Sequence, residues 1–265
     1  VLEGIDDFGA RYDVEDYPGW CSFIEFHSEC ELTKESHRLV ALQGIANEMQ
    51  KARQDRYCLG LWSGELPQQL LWMGDNLKKN EFLLGIPSWT WASMKGPVGF
   101  PCQDIYGEFE SVCDEIIIGH WRNLRVRGST KYGTCEFAGS SILLPKDLDE
   151  DSDSSLGENL DQAKRFLSHF GLTRLYRIKD LDEQHKEHVG LAVFDSIDRM
   201  PTKFCCLSLM NGRRNTGHCN HGYAYFVLLL EPSSLAEEKY QRIGICIITS
   251  DSWLDRAVSS YINLM

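Results

Sequence analysis

The residues best suited to chemistry sit in one short run, Gly217-His218-Cys219-Asn220-His221-Gly222. Imidazole nitrogen and thiolate sulfur are the usual zinc ligands, so His218, Cys219 and His221 are candidate metal ligands. The spacing weakens that reading. A His-x-x-His in a loop lacks the rigid geometry of a zinc motif, and no fourth ligand stands nearby in sequence. The run reads foremost as an ordinary polar hairpin, and an enzyme with a hydrolytic or zinc-dependent site near these three residues is the alternative. No Gly-x-Ser-x-Gly elbow presents a nucleophilic serine, and neither a phosphate-binding glycine loop nor a Gly-x-Gly-x-x-Gly is present. The carboxylates Asp149-Glu150-Asp151 lie in a polar tract, where no burial would raise a pKa for acid–base work. No catalytic residue and no cofactor are therefore assigned.

A second constellation is aromatic. Pro87-Ser88-Trp89-Thr90-Trp91-Ala92-Ser93 places two indoles two residues apart behind a proline. Period-two spacing predicts an extended segment with both indoles on one face, and the proline suits the start of a strand. Trp62 and Trp72 lie in similar apolar runs. A base- or sugar-stacking platform needs exposed rings, so these four tryptophans read as core.

Net charge is 27 − 39 = −12, which excludes an electrostatic nucleic-acid binder and argues against docking on anionic lipid. No apolar run approaches the roughly 20 residues of a membrane-spanning helix. No signal-peptide pattern opens the chain, and Val1 reads as a position inside a longer protein. The ten cysteines are scattered without a Cys-x-x-Cys. They read as reduced, mostly buried small residues in a cytoplasmic or nuclear setting, and Cys205 and Cys206 should point to opposite faces of a strand.

The elements that must position these residues follow from periodicity. Residues 1–19 read as a linker or tail. Trp20, Phe23 and Ile24 share a helical face. A helix is predicted over 34–53, with Thr33 as N-cap, Glu35 in its first turn, and Leu39, Leu42, Ile45, Ala46 and Met49 as its apolar stripe. Its polar face carries His37, Arg38, Gln43, Asn47 and Lys51, and Gly44 inside it implies close packing. Ser63 should cap a shorter helix with Pro67 near its first turn. After residue 97 the pattern turns to strands: 98–100, 106–113, 115–119, 122–127 and 132–144, with Gly128 and Gly139 at turns or bulges. Residues 147–161 hold seven acids and no Lys or Arg and read as a solvated loop, and helical spacing follows from Leu160 to Phe170. Strands are predicted at 172–178, 189–195, 203–210, 223–231, 240–249 and 258–264. The fold class expected is α+β: a helical layer over 20–96, ending in the tryptophan stretch, then a β-rich part over 97–265 as a mostly antiparallel sandwich or barrel.

These motifs also line up with a family. Trp20-Cys21-Ser22-Phe23-Ile24-Glu25-Phe26, Leu32-Thr33 and Arg38 to Ala46 resemble the region that follows the HET domain in fungal heterokaryon-incompatibility proteins. Tyr57 to Trp62 with Leu66-Pro67 and Leu70-Leu71-Trp72, and Pro87 to Ser93 with Gly96-Pro97-Val98, are similar to its "Y-x-A-G-L-W…LLW" and "PSWSWAS…GPV" runs. Val227 to Pro232 and Tyr240 to Gly244 are similar to its "LEP…Y-x-R-I-G" end. The resemblance makes Trp62, Trp72, Pro87, Trp89, Trp91, Ser93, Arg242 and Gly244 motif residues of structural kind. His37 and Phe26-His27-Ser28 depart from the pattern. The resemblance implies a non-catalytic regulatory or recognition region of a protein of non-self recognition and programmed cell death. Its partner would be an upstream HET domain or another protein, and control of oligomerisation is left open.

Overall fold

The computed structural model describes residues 3–5, 11–13, 17–83, 85–100, 109–119, 122–140, 167, 172, 174–181, 188–196, 201–213, 223–233 and 239–265. The acidic stretch 147–161 and nearly all of 160–170 lie outside the described residues. The first strands, β1 (Glu3–Ile5) and β2 (Arg11–Asp13), pair with each other. Helix α1 (Tyr17–Glu29) and helix α2 (Val40–Arg53) follow. A hairpin of β3 (Tyr57–Cys58) and β4 (Leu61–Trp62) leads to α3 (Leu66–Gln69). Then β5 (Lys78–Lys79) pairs with β6 (Met94–Lys95), and the tryptophan stretch lies between them.

The rest is sheet. Its strands are β7 (Phe109–Ser111), β8 (Glu115–Ile118), β9 (Leu124–Ser140), β10 (Arg174–Asp180), β11 (His188–Phe194), β12 (Phe204–Arg213), β13 (Tyr223–Pro232), β14 (Lys239–Ile248) and β15 (Val258–Leu264). Antiparallel pairings run β9–β10–β11–β14–β13–β12 and back to β9, a ring of six strands. The first half of β9 leaves the ring to pair with β8 and β15. β15 also touches β14 in parallel at Asn263 and Leu264.

The unbroken apolar run of β13 is explained by burial on both faces. Val227 and Leu229 join one apolar cluster with Tyr176, Ile178, Phe194, Phe204, Cys206 and Cys246. Phe226, Leu228 and Leu230 join the other, which also holds Trp20, Leu42, Trp62, Trp72, Trp89 and Trp91. Cys205 and Cys206 fall into different clusters, as alternation along a strand requires. At the β11–β14 seam the backbones approach closely. A Cβ on Gly244 would collide with the Val193 carbonyl oxygen, and one on Gly190 with that of Ile247.

Several local expectations are corrected. Thr33 does not cap a helix over 34–53: a short 3-10 turn at Glu35–His37 comes first, and α2 begins at Val40 after Leu39. The interruption coincides with Arg38, which is buried instead of lying on the polar face. Along α2 only Leu42, Ala46 and Met49 are buried, while Ile45 is 47% exposed. Gly44 faces open space, with nothing within 4 Å of a Cβ built there. Ser63 caps nothing and bonds Asp55 instead. Gly128 lies within a continuous strand, whereas Gly139 does sit at a register shift. The tryptophan stretch is not extended: Trp91–Ser93 forms a 3-10 turn, capped by Thr90 Oγ1 accepting from Ala92 N at 3.3 Å.

Candidate functional site

His218, Cys219 and His221 lie outside the described residues. Among the described residues no group of three or more His, Cys, Asp or Glu could hold a metal ion. The motif residues are well placed and mostly buried. Trp62, Trp72, Trp89 and Trp91 are all fully buried. Trp72 Nε1 donates to Trp89 O at 2.9 Å, and Ser93 Oγ donates to Ser88 O at 3.3 Å. Pro87 O accepts from Thr90 N at 3.4 Å, closing the turn that precedes the 3-10 segment.

Arg242 ties the sheet to this assembly. Its guanidinium donates to Leu70 O at 2.9 Å, to Trp72 O and to Asp195 Oδ1 at 2.9 Å. Its Cζ lies 3.3 Å from the Trp72 ring centroid. Burial pushes the Asp195 carboxyl up to about 6 against the pull of Arg242, and burial lowers Arg242 to about 10. Ser88 completes the link, accepting from Arg242 N at 2.9 Å and donating to Met265 O at 2.6 Å. A buried pair whose two terminal guanidinium nitrogens are bonded to backbone carbonyls and to its own carboxylate acts as a brace.

The same stretch shapes a cleft of about 420 Å³ between α2, β3 and the turn before β9. Its lining comes from three places: Leu39, Gln43 and Gln50 at and along α2, Arg56 to Leu59 at β3, and Ile118, Gly119 and Arg122 before β9. Four non-glycine residues among those described have positive φ: Gln54, Leu59, Asn76 and Arg122. Gln54 ends α2, and asparagine tolerates this region. Leu59 (φ 52°) and Gly60 (φ 94°) are the two loop residues of the β3–β4 hairpin, whose tight turn requires positive φ at both. Arg122 (φ 67°) has no such explanation, and Leu59 and Arg122 both line the cleft. Such strain persists only where surrounding bonds over-determine it.

The bonds that do so come from the tryptophan stretch. Thr90 Oγ1 donates to Leu59 O at 2.6 Å. Trp91 Nε1 donates to Gly60 O at 3.3 Å, and Trp20 Nε1 to the same oxygen at 3.1 Å. Trp89 Nε1 donates to Arg122 O at 3.1 Å. Three consecutive residues thus hold backbone at two separate parts of one cleft, the β3–β4 turn and the turn before β9. Arg38, also buried, holds the stretch from behind: it donates to Ser28 O at 3.3 Å and Gly96 O at 3.2 Å, with Cζ 5.2 Å from the Trp91 ring.

The lining carries two guanidinium groups, two amides and no carboxylate or imidazole. Burial pushes the Cys58 thiol up, opposed by Arg56, so the thiol stays protonated and unreactive at neutral pH. Burial also raises the Tyr57 hydroxyl. The arrangement can bind, and it offers no base to activate a nucleophile. A second cavity of about 590 Å³ beside β15 contains Arg125, Lys131 and Arg256. Two of those cations are committed to rings: Arg125 lies 3.9 Å from Tyr261 and Lys131 5.0 Å from Trp253. Sequence reasoning missed the roles of Arg38, Leu59 and Arg122. A glycine after Leu59 hints at a turn there, but nothing in the sequence around Arg122 announces its backbone.

No family model, no curated protein and no solved structure matches the chain.

Proposed function

We propose that this chain is a non-catalytic regulatory or recognition region of the kind that follows the HET domain in fungal heterokaryon-incompatibility proteins. In that reading the helical segment is a layer packed on a barrel-like antiparallel ring, and the whole acts in the cytoplasm on an upstream HET domain or another protein. The observation that carries it is the use made of Trp89, Thr90 and Trp91. These three residues, all within the stretch that carries the resemblance, spend their side-chain donors on backbone carbonyls of Arg122, Leu59 and Gly60, at or beside the cleft. A stretch with that role serves shape and binding. The test is to express this chain alone in a fungal cell, with expression verified by immunoblot. Growth should match that of cells carrying an empty vector, because the death signal is assigned to the upstream domain. Cell death caused by this chain alone would sink the reading.

A further inference from the structure

We propose that the cleft between α2, β3 and the turn before β9 binds a small organic anion, a carboxylate or phosphate group carried on an apolar body. This goes beyond the regulatory reading and does not depend on it.

Charge comes first. The chain has 39 acidic and 27 basic side chains, yet the cleft is lined by Arg56 and Arg122 and by no carboxylate. The Arg56 guanidinium has no hydrogen bond or ion pair with any described residue; the Arg56 contacts to Asp55 and Ser63 are made by its backbone. Arg122 spends one N–H on Gly85 O at 3.3 Å, which leaves most of its donors open. A planar guanidinium fork with unspent donors matches a carboxylate or phosphate.

Construction comes second. The two arginines come from separate elements, and Arg122 reaches the cleft from a backbone held in the left-handed region by Trp89. Leu59, in the β3–β4 turn, is held by Thr90. Both arginines are exposed, and the backbone that carries Arg122 is fixed by a bond to a buried indole, so that side of the cleft is held in place before any ligand arrives.

Shape comes third. The volume is within the range of about 300–1,000 Å³ typical of small-molecule sites. Leu39, Leu59 and Ile118 supply apolar wall, and Gln43 and Gln50 supply amides that can donate or accept. A bare inorganic ion would leave the apolar wall unused, so the ligand carries an apolar body.

The experiment uses the purified chain and three probes, phenyl phosphate, benzoate and inorganic phosphate, followed by titration calorimetry and thermal shift at constant ionic strength. Phenyl phosphate, benzoate or both should bind at millimolar concentration or tighter and raise Tm, with inorganic phosphate weaker. Arg56→Gln should leave the Tm of the free protein unchanged and weaken probe binding about tenfold or more, the effect of losing one charged hydrogen bond. Arg122→Gln should weaken it as well. Should that variant fail to fold, Gln43→Trp blocks the cleft from the exposed face of α2 and should abolish binding with the fold intact. No binding by either organic anion overturns the proposal, as does binding that Arg56→Gln and Gln43→Trp leave unchanged. Equal binding of inorganic phosphate overturns the apolar-body part. Loss of binding leaves the result of the fungal expression test standing, and cell death in that test leaves the binding result standing.

Discussion

At the scale of single residues, Arg242 carries more than its charge. Its donors satisfy two carbonyls, Leu70 and Trp72, in the helical segment and one carboxylate, Asp195, just after β11. Arg242→Ala should cost about 3–5 kcal/mol in urea unfolding, because it leaves a buried carboxylate without its partner. The pH dependence has a definite sign. The folded carboxyl of Asp195 sits at about 6, above its ordinary 3.8, so between those values the native state holds the proton that the unfolded chain has released. The contribution of this group is therefore greatest below pH 3.8 and falls as pH rises through 6, by an amount on the order of 3 kcal/mol. Asp195→Asn should flatten that slope in stability measured from pH 4 to 7; an unchanged slope would assign the titration to other groups. The sequence marked Arg242 only as a motif position. That it reaches a tryptophan 170 positions earlier is a tertiary fact without local signature.

At the scale of elements, glycines separate what was legible from what was not. Gly44 inside α2 suggested a close neighbour, and Gly244 inside an apolar strand carried no such expectation, yet the structure reverses the two. Gly44→Ala should stabilise the protein by up to about 1 kcal/mol, the gain in helix propensity in open space. Gly244→Ala should destabilise it by about 3 kcal/mol or more, since the added methyl meets the backbone of Val193 rather than a yielding side chain. Paired thermal melts check both, and equal effects would mean that the seam between β11 and β14 is not tight. The strands themselves were plain in the sequence: the ends of β11 to β15 fall within three residues of the expected runs, and β15 coincides with its own. Their apolar runs and the polar breaks between them are local. The start of α2 and the turn at Trp91 were not legible, because Arg38 and Thr90 decide them through bonds made across the fold.

At the scale of the whole molecule, one apolar cluster runs from Trp20 and Trp62 through Trp72, Trp89 and Trp91 into Leu191, Phe226, Leu228 and Ile247 of the ring. A division near residue 96 follows the change from helical to strand periodicity. The core does not respect that change. The Met265 carbonyl accepts both the N–H and the hydroxyl of Ser88. Leu66, Leu70 and Trp72 belong to the same apolar cluster as the ring residues, so helical segment and sheet share one core. Helical segment and sheet should then unfold in one cooperative step. Five of the fully or nearly fully buried tryptophans belong to the helical segment, so fluorescence reports on it, while far-UV circular dichroism is weighted toward the larger sheet. The two probes should give the same midpoint and the same slope in guanidinium chloride. A fluorescence transition that precedes the dichroism transition would show that helical segment and sheet unfold separately despite the bonds of Arg242 and Ser88.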